Sequence, residues 1–380
     1  MKKSFLIINS ILLLVFSQML YSQSDSLIIE HYSLEQGLPN STIRFVIQDR
    51  EGYLWFTTDN GVVRYDGYHF QSYVNKPGDS TSFINDVAWC SYVDKEGTLW
   101  FGSGDGLEKY NRRTNNFTNY LPDNFAKGHV IGNIIISIVE DKKGIFWVTT
   151  GEGVFKFNKI SGKFSPVQYD YDSTNVTYTH YNSPFVAKDG SLWFASGQGL
   201  DKFNYESGKI MHYWRDPKKR EVTSSTISKY FIHSICEDSN GTLWLGSSKG
   251  IVEFNKKSNT FTNYIPDSSV YDVNRVIALC FDPSGLLWIG TNKGIFTFDT
   301  KSKRFTRKFI NRSHHDFYYL GNNFVTSLYI DRSGVLWVGT LSDGIYKVIL
   351  KKLPYKRYFP GGVHQVNRVE TLSKRIDAIQ

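Results

Sequence analysis

The sequence predicts an all-β fold, a seven-bladed β-propeller of four-stranded antiparallel blades, and three observations carry the prediction. Tryptophan recurs at 55, 100, 147, 193, 244, 288 and 337, at intervals of 44 to 51 residues. Each of these is preceded at three residues by glycine, from Gly52 to Gly334, and six of the glycines have an aspartate three residues earlier: Asp49, Asp94, Asp141, Asp238, Asp282 and Asp331. The 31 Gly and 16% aromatic residues suit many short strands joined by tight turns, whereas 10 Pro and 3 Cys rule out a proline-rich stalk or a disulfide scaffold. A period of this length with four strand-like segments is the signature of propeller blades.

The second repeat shows the four strands in order. The segment 86–94 (DVAWCSYVD) is the innermost strand, KEG the first turn, TLWFGS the second strand, GDG the next turn, LEKYN the third strand and NFTNY the outermost. The same closing signal returns at 259–264 and 303–309. In each D-x-x-G turn the aspartate is expected to accept backbone amides of its own loop, and glycine to supply a positive φ. The tryptophan should lay its ring on the sheet face, where the neighbouring repeat covers it. The fourth repeat departs, with Ala187 in the aspartate position and Asp189 beside Gly190. A further glycine, Gly61 to Gly294 in the first six repeats and Gly344 in the last, marks the turn after the second strand.

Ring closure has two candidates. Residues 27–33 (LIIEHYS) read as an outermost strand arriving before the first blade, and 355–359 (YKRYF) as one following the last. Seven blades need only one of them. The domains are therefore a secretory signal over 1–22, the propeller over 23–358, and a tail or the start of a further domain over 359–380. The signal rests on Lys2 and Lys3 followed by an apolar run, residues 5–16, that is short for a membrane span. No later run approaches a membrane span. The export this implies, periplasmic or secreted from a Gram-negative bacterium, sets nucleic acid aside as a partner, and the formal charge of +8 is spread rather than striped. Cys236 and Cys280 occupy equivalent strands of adjacent repeats, and they and Cys90 read as small buried side chains rather than a disulfide.

The strings GLPNSTIRFVIQDREGYLWFTTDNGVVRYDG and NRVIALCFDPSGLLWIGTNKGIFTFD resemble the two-component regulator propeller repeat over about residues 27 to 350. That family supplies periplasmic sensors of hybrid two-component receptors. The resemblance implies a ligand-sensing module, often for glycans, that works with other domains of a signalling receptor.

No motif points to catalysis: H-E-x-x-H and phosphate-cradling glycine loops are missing from the sequence. His314 and His315 are adjacent, so on an extended segment they point apart. No cofactor, metal or catalytic residue is expected, and the chain is read as a non-enzyme. A protein-docking scaffold and, behind it, a carbohydrate-active lyase or glycosidase stand as alternatives.

The polar feature that stands out is a collar. Eight residues before each turn aspartate (or Ala187) lie Ser41, Asp86, Asn133, Thr179, Tyr230, Asn274 and Asn323, all polar and all entering an innermost strand. They ring one mouth of the central channel, either capping the loop that enters the strand or binding a polar ligand such as a sugar. Five before the turns fall Arg44, Trp89, Asn182, His233 and Thr326, with Ile136 and Ile277 completing the set; His180 and Arg275 fall seven before. Arg44, Trp89, His180, His233 and Arg275 join the collar as candidate ligand contacts. Trp89, Tyr178 and Tyr230 are candidate platforms for a sugar ring, because a pyranose has apolar faces and hydroxyl edges.

Overall fold

A computed structural model describes residues 28–121, 134–151, 153–169, 181–197, 199–214, 231–258, 260–265, 275–309 and 324–350. Seven four-stranded antiparallel sheets follow one another, each ordered inner, second, third, outer. The inner strands are Ile43–Gln48, Ala88–Val93, Ile135–Glu140, Tyr181–Val186, Ile232–Glu237, Val276–Phe281 and Val325–Ile330, and each packs beside the next, the last beside the first. The fold is the seven-bladed propeller.

Closure is made by the N-terminal strand. Ile28–Tyr32 pairs with Ile345–Ile349, in register from Ile28↔Ile349 to Tyr32↔Ile345, as the outer strand of blade seven. The competing candidate at 355–359 lies outside the described residues.

The tryptophans set the spacing between blades. Each is at most 4% exposed. Trp55 meets Phe101 and Tyr110 of blade two at 5.6 and 4.8 Å, Trp100 meets Phe146 of blade three at 5.1 Å, and Trp147 meets Phe203 of blade four at 4.5 Å. The pattern continues until Trp337 packs on Phe56 of blade one at 6.2 Å. A buried indole keeps a polar N–H that needs an acceptor. The turn aspartate provides it. In six blades Nε1–H donates to the second carboxylate oxygen of that aspartate, at 2.8 to 3.2 Å. The first oxygen accepts the backbone amide four residues on, at 2.7 to 3.1 Å. The amide bonds match the sequence expectation; the tie to the ring is an addition.

Blade four reaches the same end by another route. With Ala187 in place of the aspartate, Trp193 Nε1–H donates to Ser191 Oγ at 2.7 Å, and Ser191 donates in turn to Asp189 at 2.5 Å.

Two further devices hold neighbours together. In four blades a glycine two residues after the tryptophan lets the next blade approach: a Cβ on Gly102 would lie 2.5 Å from Ile135, and one on Gly339 2.8 Å from Ile43. On the face carrying the D-x-x-G turns, the residue after the aspartate is basic in five blades and reaches a turn carbonyl of the following blade. Arg50 bonds Lys95 O, Lys95 bonds Asp141 O, Lys142 bonds Lys188 O, Lys188 bonds Asp238 O, and Arg332 bonds Asp49 O and Arg50 O. Blades five and six have Ser239 and Pro283 there. The three cysteines carry free thiols.

Asp94→Ala should lose about 2–4 kcal/mol in urea unfolding, because it strands the Trp100 indole and the Thr98 amide in the interior. Ser191→Ala should cost about 1–3 kcal/mol for the same reason at Trp193. A loss below about 0.5 kcal/mol in either would show that the indole finds another acceptor.

Candidate functional site

Antiparallel blades put the inner-to-second turns on one face of the ring. The second-to-third turns and the inter-blade connections lie on the other. Ser41 and Asp86 of the sequence collar lie on this second face, the mouth. There described connections are bonded to turns: Gly61 N–H and Gly344 N–H donate to the Asp86 and Ser41 carbonyls, and Ser248 N–H and Asn292 N–H to those of Phe231 and Arg275.

Of the collar, Ser41 is half-buried and Asp86 exposed, while Asn133, Thr179, Tyr230, Asn274 and Asn323, with Tyr178 and His180, lie outside the described residues. At both described positions the loop is capped by the preceding residue. Asn40 Oδ1 accepts the Thr42 amide and Asn85 Oδ1 the Val87 amide, each at 2.8 Å. The capping duty weighed for Ser41 and Asp86 therefore falls to their neighbours.

Three residues further on, every inner strand carries a β-bulge. The register slips between Ile43 and Phe45, Ala88 and Cys90, Ile135 and Ser137, Tyr181 and Ser183, Ile232 and Ser234, Val276 and Ala278, and Val325 and Ser327. The extra residues are Arg44, Trp89, Ile136, Asn182, His233, Ile277 and Thr326. A bulge leaves one residue out of the ladder and re-aims its side chain. These are the positions that fall five before each turn in the sequence.

Two groups form around the mouth. On blades one and two, the Arg44 guanidinium lies 4.0 Å over the Trp89 ring and donates through Nε to Asp59 at 2.5 Å. On blade five, His233 stacks on Phe231 at 4.6 Å and sits 3.5 Å from Ser248 Oγ. Exposed Arg275 enters blade six, 5.9 Å from the Phe324 ring. No described contact joins the two groups. Sequence reasoning missed Asp59; its place two residues before Gly61 could have found it, since that turn faces the same mouth. Phe45, just after the bulge and 39% exposed, was missed as well.

The family model for the two component regulator propeller matches residues 37–60, 82–105, 226–249, 271–293 and 319–342. The matches fall in five of the seven blades. Each match runs from a collar connection, over the bulge, to the turn beyond the tryptophan. A 76-residue stretch is 34% identical to histidine kinase P4 of Formosa agariphila, covering 18% of this chain and 6% of that protein. Among solved structures, this propeller is similar to the extracellular domains of two putative hybrid two component systems of B. thetaiotaomicron. The first has 24% identity and a TM-score of 0.68, the second 19% and 0.65. Both matches cover 85% of this chain and 42% and 39% of those chains, so the chain spans about two fifths of the receptors' extracellular domains. Virginiamycin B lyase from Staphylococcus aureus shares the fold at 14% identity, TM-score 0.65, over 86% of this chain and the whole of the lyase. At these identities the likeness is one of fold.

Burial, and next the positive charge of Arg275, push the His233 pKa down to about 3. The folded protein keeps this ring neutral, while the unfolded chain takes up a proton below about pH 6.5. His233 thus contributes its full stability above that pH and loses it as the pH falls towards 3, about tenfold in the folding constant per unit. His233→Gln should remove this slope. Parallel stability profiles for the two proteins between pH 6.5 and 4 would show that His233 titrates normally in the folded state.

Proposed function

We propose that the chain is the sensor propeller of an exported hybrid two-component receptor, and that it reads a polar ligand, a glycan or its breakdown product, at the bulge-ringed mouth. The observation that carries this reading is the bulge itself. Where residues serve the scaffold the blades repeat them, as with Trp, Gly and Asp of the turn. At the bulge the geometry repeats in all seven blades but the side chains differ: Arg, Trp, Ile, Asn, His, Ile, Thr. A requirement of the fold would impose one residue type; a ligand with distinct edges would use several. Arg44 stacked on Trp89 joins an aromatic face to a planar donor, a combination suited to a pyranose. Similarity to extracellular domains of hybrid two component systems supports a signalling role and an exported location.

Binding here proceeds without turnover. Burial holds the His233 pKa down near 3, which makes it a weak proton acceptor. Asp59 is paired with Arg44, and Asp105 accepts from Asn85 at 2.6 Å. A sensor signals only as far as its ligand distinguishes two states of the receptor.

Thermal unfolding of the full chain against a panel of oligosaccharides tests the reading. A ligand at a hundred times its Kd adds about 2.7 kcal/mol, or about 5 °C. Trp89→Ala and Arg44→Ala should each weaken that binding about tenfold or more while leaving the unliganded melt within about 2 °C. A folded protein that no sugar shifts would transfer the mouth to docking of another protein. Disappearance of the sugar during the assay would establish an enzyme.

A further inference from the structure

Blade two holds a carboxyl group with no obvious reason to be where it is. On one face of its sheet the register sets Ser91, Phe101, Glu108 and Asn119 in a row, one per strand. Glu108 is 0% exposed. At the same position opposite the second strand the other blades have Val63, Phe155, Asp201, Val252, Phe296 and Tyr346. Neither Glu108 oxygen has a hydrogen-bond partner, and the directly paired Asn119 leaves Oδ1 buried and equally bare. Turning the Asn119 amide over does not help, because its Nδ2 already donates to Ser80 O and Ser82 O at 3.1 and 3.0 Å.

Three acceptor oxygens on cross-strand neighbours lack a well-placed donor, the Ser103 hydroxyl and the Ile84 amide being the donors nearest Glu108. The titratable groups that face Glu108 are Asp105 in the adjoining turn and the Cys90 thiol on the inner strand, neither a cation at neutral pH. Among the described residues no ammonium or guanidinium pairs with it. Calcium would ask for six to eight oxygens. One proton suffices: a neutral Glu108 can donate to Asn119 Oδ1 and turn its other oxygen towards Ser103 and the Ile84 amide, its nearest donors. Burial pushes this carboxyl well above the usual carboxylate range, in the same sense.

We propose that Glu108 is held as the neutral acid and that its hydroxyl, donated to Asn119, latches the 76–87 connection over the seam between blades one and two. The connection is fastened there at several points. Asn119 holds the Ser80 and Ser82 carbonyls, Phe117 N–H donates to Thr81 O at 2.8 Å, and Asn75 Nδ2 donates to Ile84 O at 2.7 Å. The same segment carries Asp86 and leads into Trp89, so the proton acts on one rim of the mouth. That consequence rests on the functional reading above, but the latch itself is tested without any ligand.

Infrared difference spectra of the full chain at pH 7 should show the carbonyl stretch of a neutral carboxylic acid that Glu108→Gln removes. In the unfolded chain the carboxyl ionises above about pH 4.3. Unfolding therefore releases a proton, and wild-type stability must fall as pH rises until the folded group ionises too. Over that range the folding constant of Glu108→Gln should gain about tenfold per pH unit on the wild type. Amide exchange of residues 84–87 should quicken with pH, beyond its chemical rate, in the wild type alone. Parallel pH profiles, or no lost carbonyl band, would overturn the proposal. So would a Glu108→Gln chain that fails to fold, since glutamine supplies the same donor. A wild-type melt raised by calcium and lowered by chelator, with Glu108→Gln indifferent to both, would replace the proton by a cation.

Discussion

The indole N–H of each blade tryptophan has to be satisfied in a place water cannot reach, and much of the structure follows from that. The ring is large enough to fill the gap between two twisted sheets, which makes it the spacer of the propeller. Its position is then set by the acceptor. An aspartate six residues earlier on the same turn holds the indole with one oxygen and the turn's own backbone with the other, so one carboxylate joins local geometry to packing between blades. Blade four shows that the requirement belongs to the indole and not to aspartate: Ser191, held by Asp189, serves instead.

The two faces of the ring divide the work. On the turn face, Arg and Lys side chains cross from one blade to carbonyls of the next, so that face is committed to holding the ring together. At the mouth, backbone bonds from Gly61 to the Asp86 carbonyl and from Gly344 to that of Ser41 cross between neighbouring blades. The bulge then lifts one residue per inner strand out of the ladder. A rigid frame that sets different residue types at one repeated position in seven blades is well suited to recognition, whichever partner it meets.

Buried titratable groups on this side of the molecule are neutral for a common reason. His233 loses its proton and Glu108 keeps one, because in each case burial penalises the charged form. Arg44, by contrast, is partly exposed and paired, beside Asp59 and over the Trp89 ring. Opposite responses to pH thus arise from one cause acting on a base and on an acid.

What the sequence by itself determined is whatever repeats. The Trp–Gly–Asp spacing specifies the blade and, counted along the chain, the number of blades; the turns and the strands of blade two could be read from it almost to the residue. The odd reading of blade four was visible too, though its repair through Ser191 was not. Tertiary structure decided what depends on residues distant in the chain. Two segments could have closed blade seven, and only pairing shows that Ile28–Tyr32 lies along Ile345–Ile349. The collar could be placed at the mouth by counting from the turns, but which side chains cap the loops, which are lifted by the bulge, and that Asp59 meets Arg44 are matters of register and of contact across strands. Glu108 makes the point most sharply: in the sequence it is one charged residue on a third strand, and only the neighbours that cover it bury its carboxyl completely.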